Sequence, residues 1–151
     1  MAYIQGRGGA PPKTIAVDFD GTLCEFAFPG IGPVKAGAVQ AMKTFKALGY
    51  WLIIYSCRTS HQHYDIFGGD PSQPTLERDR VKEMIQFLHD NDIVYDEIDD
   101  GSKGKPTADY YIDDKGIRFN DNWTVIQQFV EARDSKVVVI YKPEVKEGTI
   151  A

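Results

Sequence analysis

The sequence predicts an α/β domain of three layers, a mostly parallel sheet of about five strands with helices on both faces. Two observations predict this. Short apolar, β-branched runs recur along the chain, and the segments between them carry apolar residues at helical spacing. Apolar strands separated by amphipathic helices imply a parallel sheet covered on both sides, a Rossmann-like arrangement. The chain has 151 residues, enough for one domain with a sizeable core, and 42% hydrophobic against 26% charged residues is an ordinary globular balance.

The elements can be read in order. Residues 1–12, rich in Gly and Pro, read as a flexible leader, 13–141 as the folded core and 142–151 as a polar tail. Thr14-Ile15-Ala16-Val17 is a buried strand. Residues 35–48 place Val39, Met42, Phe45 and Leu48 at helical spacing, and Gly49 suits a C-terminal stop. Trp51 to Tyr55 is the second strand. Residues 76–88 put Val81, Met84, Ile85 and Leu88 on one helical face, with Thr75 as the expected N-cap. Ile93-Val94-Tyr95 begins a short third strand, and Ala108 to Ile112 reads as the fourth. Trp123, Ile126 and Val130 mark a last helix, capped by Asn120 or Asp121, with Trp123 as its core anchor. Val137 to Ile140 is the fifth strand.

Composition limits the function classes. The formal net charge is −5, from 22 acidic and 17 basic residues, which disfavours nucleic-acid binding by bulk charge. Cys24 and Cys57 form no zinc or CxxC spacing and read as reduced thiols. No apolar run approaches the roughly 18 residues of a membrane span, and the first residues lack the apolar stretch of a signal peptide. The expectation is a soluble, cytoplasmic protein with no membrane partner.

Three polar clusters follow strands. Asp18-Phe19-Asp20-Gly21-Thr22 follows the first, Ser56-Cys57-Arg58-Thr59 the second and Asp113-Asp114 the fourth. In open parallel sheets ligands bind beyond the C-terminal strand ends, so all three should meet at one edge. Asp18, Asp20, Asp113 and Asp114 would then repel one another strongly unless a cation neutralised them. Mg²⁺ prefers such oxygen donors, so the cluster predicts Mg²⁺.

A carboxylate beside phosphate-binding donors can attack phosphorus and form an aspartyl phosphate. Asp18 is the expected nucleophile. Asp20, two residues on, can hand a proton to the leaving oxygen and later take one from water. Gly21 lets the backbone approach the phosphoryl oxygens, and Ser56 can donate to one of them. Thr22 and Arg58 complete the phosphate-binding candidates, and a nearby lysine would balance the spreading charge.

These residues resemble the haloacid dehalogenase superfamily of phosphatases. Asp18-Phe19-Asp20-Gly21-Thr22-Leu23 is similar to its first motif, Ser56 to its second, Lys105 within Gly104-Lys105-Pro106 to its third, and Asp113-Asp114 to its fourth. The resemblance spans residues 14 to about 140. It implies that Asp18 is nucleophile and metal ligand, and that Asp20 is the acid/base and ligates Mg²⁺ through its carbonyl. It implies too that Ser56 and Lys105 hold the phosphoryl group and that Asp113, Asp114 or both complete the metal site. Dehalogenases of the superfamily lack the second acid of the first motif, so Asp20 favours phosphate chemistry. Because Lys105 lies close in sequence to Asp113, it can fall at the wrong end of the fourth strand, with Lys103 as the alternative. The wording from Gly104 to Asp114 is similar to phosphatases associated with surface-polysaccharide synthesis.

Neither the 32 residues from Cys24 to Tyr55 nor the 48 from Cys57 to Gly104 leave room for a cap domain beside their helix and strand. A capless enzyme with an open site is expected, with a hairpin-like flap near Glu25–Pro33. The long loop 60–74, with His61 and His63, begins at the site edge, from which Arg58 and these histidines can meet the leaving group. The substrate is then a phosphomonoester, either a small sugar phosphate or nucleotide or a larger phosphorylated molecule. A homo-oligomer, in which a second subunit acts as lid, stays open. The competing functions are a polynucleotide 3′-phosphatase, a degenerate binding protein of the same fold without catalysis, and a phosphoacceptor receiver. The receiver reading is disfavoured because the acid pair and Gly-Thr follow strand one and no lone Asp dominates strand three.

Overall fold

A computed structural model describes residues 12–60 and 72–133. The expected fifth strand at 137–140, His61, His63, most of loop 60–74, nearly all of the leader and the polar tail lie outside the described residues. The chain divides into two compact units, one ending at Lys115 and the other beginning at Gly116.

The first unit is the parallel α/β fold. Its strands are β1 (Thr14–Val17), β2 (Trp51–Ile54), β3 (Glu97–Ile98) and β4 (Tyr110–Ile112), and its helices are α1 (Ala38–Ala47) and α2 (Asp79–Asp90). Sheet order is β3-β2-β1-β4, with every pair parallel. Val17 is level with Ile54 on one side and with Ile112 on the other. The chain builds outward from β1 through β2 to β3, then returns to place β4 on the other side of β1. That reversal makes the β1/β4 boundary the topological switch point, where such sheets open a crevice beyond their C-terminal ends.

Alternation along the strands sets the core. Ile15 and Val17 of β1 and Leu52 and Ile54 of β2 share one face, and they cluster with Met42 of α1 and Val81, Met84 and Leu88 of α2. Both crossovers run in the same direction, so the right-handed rule puts both helices on that face. Ala16 and Ile53, on the opposite face, are buried as well. Phe19, fully buried, meets the Phe87 ring edge-on at 5.5 Å, and with Leu23 it packs the turn after β1 onto the core.

Several boundaries differ from the sequence reading. Helix α1 starts at Ala38, three residues late, because Lys35 to Ala38 closes a separate turn and Gly37 takes φ 84°. Helix α2 starts at Asp79 because Thr75–Glu77 forms its own 3₁₀ turn. Thr75 is therefore no N-cap; its hydroxyl accepts from Arg78 Nη2 at 2.8 Å instead. The third strand is Glu97–Ile98, not 93–95, because the Ile93 N–H bonds back to Leu88 O (2.9 Å) and seals the end of α2 in the core. Hydrogen bonds from Asp96 N to Leu52 O and from Asp99 N to Ile54 O then fix the strand on β2.

The second unit, residues 116–133 as described, holds α3 (Trp123–Arg133). Its first turn closes from Ile126 N to Asn122 O, so the helix springs from Asn122 rather than from Asn120 or Asp121. Trp123 packs on Phe119 with ring centroids 5.1 Å apart and is exposed rather than a core anchor. Among the described residues no helix is long and apolar enough to cross a membrane.

Candidate active site

The sequence after β1 folds tightly because one carbonyl collects several donors. Phe19 O accepts from Thr22 N (3.2 Å), Leu23 N (3.0 Å) and Cys24 N (3.4 Å), and Gly21 N closes the loop on Cys24 O at 3.0 Å. Gly21 has φ +88°, and a Cβ there would lie 2.4 Å from Asp114 Oδ2, so only glycine lets Asp114 approach this turn. After the turn, Glu25 N bonds Pro33 O and Lys35 N bonds Leu23 O, with Cys24 bridged to Val34. This is the short hairpin-like flap that the sequence leads one to expect, and no folded cap stands between β1 and α1.

Asp18 emerges from the end of β1, its own N–H bonded to Ile112 O of β4 at 2.9 Å. The Thr22 hydroxyl donates to Asp18 Oδ2 (3.0 Å) and accepts from Asp114 N (3.0 Å). One side chain thus ties the turn after β1 to the end of β4 across the switch point. Carboxylate oxygens of Asp18, Asp113 and Asp114 all lie within 4.8 Å of one another. Burial, with the charges of Asp113 and Asp114 adding to it, pushes the Asp18 carboxyl up to about 6, against the opposing bonds from Phe19 N–H and Thr22.

Ser56 sits just past β2, buried, where Tyr55 N bonds Val17 O. Its Oγ accepts from Arg58 N (3.2 Å) and caps the 3₁₀ turn Cys57–Thr59. That acceptor role leaves the hydroxyl hydrogen available to a ligand.

Four phosphate-binding expectations need correction. Arg58 does not face a ligand: it is 1% exposed, and its guanidinium grips Asp20 by Nε–Oδ2 and Nη2–Oδ1 contacts of 2.7 Å each. Thr22 spends its hydroxyl on Asp18 and Asp114, and the backbone N–H groups of Gly21 and Thr22 are both bonded inside the turn. These two residues shape the site rather than donate to a phosphate. Lys105 precedes β4 and lays its ammonium 4.4 Å over the Tyr111 ring, whose hydroxyl bonds Pro106 O. The Asp99–Asp109 segment has to run from the C-terminal end of β3 to the N-terminal end of β4, where Asp109 N meets Thr14 O, and this carries Lys105 off the site edge. Lys103 acts on Asp99, at the end of β3, whose carboxyl is raised mainly by burial.

Among the described residues, the cation that does reach the acids is Lys115, which the sequence reading missed. Its Nζ lies 2.9 Å from Asp114 Oδ2 and 5.1 Å from the Phe26 ring centroid of the flap. The bond to Asp114, with the charges of Asp18 and Asp113, raises its pKa. Its adjacency to the acid pair was the available signal. Tyr55 and Cys57 also border the site. Burial pushes both up, with Asp18 and Asp113 among the charges that add to it.

The arrangement fits a hard divalent cation. It offers three carboxylates from two strand ends with converging oxygens, one of them carrying an electrostatic cost that a cation would relieve.

No family model and no curated protein matches the sequence. Among solved structures, a conserved protein from Bacteroides thetaiotaomicron is similar at TM-score 0.51 and 22% identity, over 81% of this chain and 92% of that one. A protein from Vibrio cholerae is similar at TM-score 0.45 and 22% identity, over 80% of this chain and 98% of that one. The first likeness supports the α/β fold.

Proposed function

We propose that this protein is a Mg²⁺-dependent phosphomonoester hydrolase of the haloacid dehalogenase type, capless and cytoplasmic, with Asp18 as covalent nucleophile. The observation that carries the reading is the convergence of Asp18, Asp113 and Asp114 oxygens within 4.8 Å at the switch point of the sheet. Asp20 and Ser56 border it in the order the motifs require. Two free thiols, Cys24 and Cys57, suit a reducing compartment.

Asp18, Asp113 and Asp114 would hold Mg²⁺, with the Asp20 carbonyl as the further ligand that the resemblance implies. The ion supplies positive charge that holds Asp18 ionised and offsets the charge of the phosphoryl oxygens. The Ser56 hydroxyl donates to one of those oxygens. Lys115 takes the part first assigned to Lys105, because among the described residues its ammonium is the one beside the acids. In the first step an Asp18 oxygen bonds to phosphorus while the bond to the leaving oxygen breaks, and Asp20 gives that oxygen its proton. In the second, water gives a proton to Asp20 as its oxygen attacks phosphorus. The aspartyl bond then breaks, phosphate leaves and both acids return to their starting forms.

The substrate reaches this site past a short flap, so the reading admits a small sugar phosphate or nucleotide or a bulkier phosphorylated group. The test is a screen of phosphomonoesters with Mg²⁺, with Asp18→Asn and excess chelator as controls. Turnover should fall at least about 10³-fold in Asp18→Asn while the fold is retained. Turnover that survived either control would overturn the mechanism.

A further inference from the structure

Arg58 is a fully enclosed charge at this edge of the sheet, and its contacts extend past Asp20. Its side chain is 0% exposed, against 14% for Asp20. Besides the two-point grip on the carboxylate, Nη2 donates to Gly30 O at 2.8 Å and Nη1 to Pro29 O at 3.4 Å. The guanidinium carbon lies 5.5 Å from the Phe19 ring centroid and 5.2 Å from that of Phe28. One planar cation therefore joins three things: the turn after β1, the turn after β2 and the tip of the flap. Only arginine can do this, since its fork serves a carboxylate and two carbonyls at once while its faces meet aromatic rings.

We propose that Arg58 is the positioning residue that aims Asp20 at the leaving group and ties that aim to the flap. This rests on the reading of Asp20 as proton carrier. A carboxylate on an open site would otherwise swing between rotamers. Gripped at both oxygens by a buried fork, it is held in one orientation while its side chain stays 14% exposed. Because Pro29 and Gly30 hang on the same guanidinium, a substrate that displaces the flap disturbs the grip on Asp20. Proton delivery is thereby linked to occupancy by the leaving group, a device suited to a site without a cap.

The test compares two model substrates, an alkyl phosphate and p-nitrophenyl phosphate. The alkoxide needs a proton to depart, and p-nitrophenolate does not. kcat/KM covers the steps up to leaving-group departure, so slow breakdown of the aspartyl phosphate does not blur the comparison. Asp20→Asn should cost on the order of 10²-fold or more in kcat/KM on the alkyl phosphate and far less on p-nitrophenyl phosphate. Arg58→Met should show the same selectivity, with a loss of about 10–100-fold on the alkyl phosphate alone. In the Asp20→Asn background, Arg58→Met should add almost nothing, since it acts through Asp20.

If Arg58→Met fails to fold, Arg58→Lys keeps the charge, loses the fork and is read in the same way. Equal losses on both substrates, or a further full loss in the Asp20→Asn background, would overturn the inference and leave the hydrolase reading intact. A wild-type protein inactive on every phosphomonoester would sink both.

Discussion

The two halves of the site are built differently. On the β1–β2 side, Asp20 is held by a fully enclosed arginine, and Asp18 by Thr22 and the strand end, over a core that includes Phe19 and Leu23. On the β4 side, Asp113, Asp114 and Lys115 are exposed, and β4 itself is exposed along its three residues. Packing determines the first half as soon as the chain folds. Beyond the β1–β4 pairing that carries it, the second half is held among the described residues by the bond from Asp114 N to the Thr22 hydroxyl, the bond from Lys115 N to Asp113 Oδ1 and the ion pair from Lys115 to Asp114. A rigid nucleophile and proton carrier thus face a looser wall of acids, whose geometry a cation can finish. Metal dependence should therefore be concentrated in the exposed half.

The largest effect that sharpens this contrast is on metal affinity. Asp114→Asn and Asp113→Asn should each raise the Mg²⁺ concentration needed for half-maximal activity, on the order of 10²-fold, with little change in thermal stability. Arg58→Met should do the reverse, lowering the melting temperature and leaving the Mg²⁺ requirement nearly unchanged, because it removes one partner of a buried pair. Mg²⁺ titrations of activity and thermal melts on the same variants would check this. Equal Mg²⁺ shifts in all three would break the division.

A smaller effect separates the lysines. Lys115→Met should raise KM for a phosphomonoester by about 10-fold, as expected for a lost charge-assisted bond, whereas Lys105→Met should change it less than about twofold. A KM increase confined to Lys105→Met would restore the original assignment and remove Lys115 from the site.

The same contrast explains what could be read in the sequence. The parallel α/β class and the meeting of Asp18, Ser56 and Asp113-Asp114 at one edge follow from local pattern plus a rule about strand ends. The errors arose where a long-range contact decides a residue's role. Arg58 looks like a phosphate ligand because its partner Asp20 lies 38 residues earlier, and burial of an arginine has no local signature. Thr22 looks like a donor to phosphate because its acceptor role toward Asp114 spans 92 residues. Lys105 sits in a segment that must traverse the sheet, so nearness in sequence to Asp113 does not mean nearness in space. The strand at 93–95 failed for the opposite reason: a local bond from Ile93 to the end of α2 outcompeted sheet pairing.

The smallest effect tests whether the rigid half carries an electrostatic cost that the loose half relieves. Asp18 titrates near 6, above its ordinary 3.8, so its charge is less favourable in the folded state than in the unfolded chain. The sign follows from linkage. Stability from the protonated form is fully present below about pH 4 and is lost as pH rises through about 6. In chelator above pH 6, Asp18→Asn should therefore be more stable than the wild type by about 1–2 kcal/mol, once screening of this half-buried group is allowed for. Below pH 4 the advantage should vanish, since both side chains are then neutral. Saturating Mg²⁺ at pH 8 should erase or reverse it, because the ion binds the charged site in the folded state. Denaturant unfolding at pH 3.5 and pH 8, with and without Mg²⁺, gives all four values. An Asn advantage at pH 8 that Mg²⁺ left untouched would mean that the acids of β4 and Asp18 share no cation, and the comparison would fail at its centre.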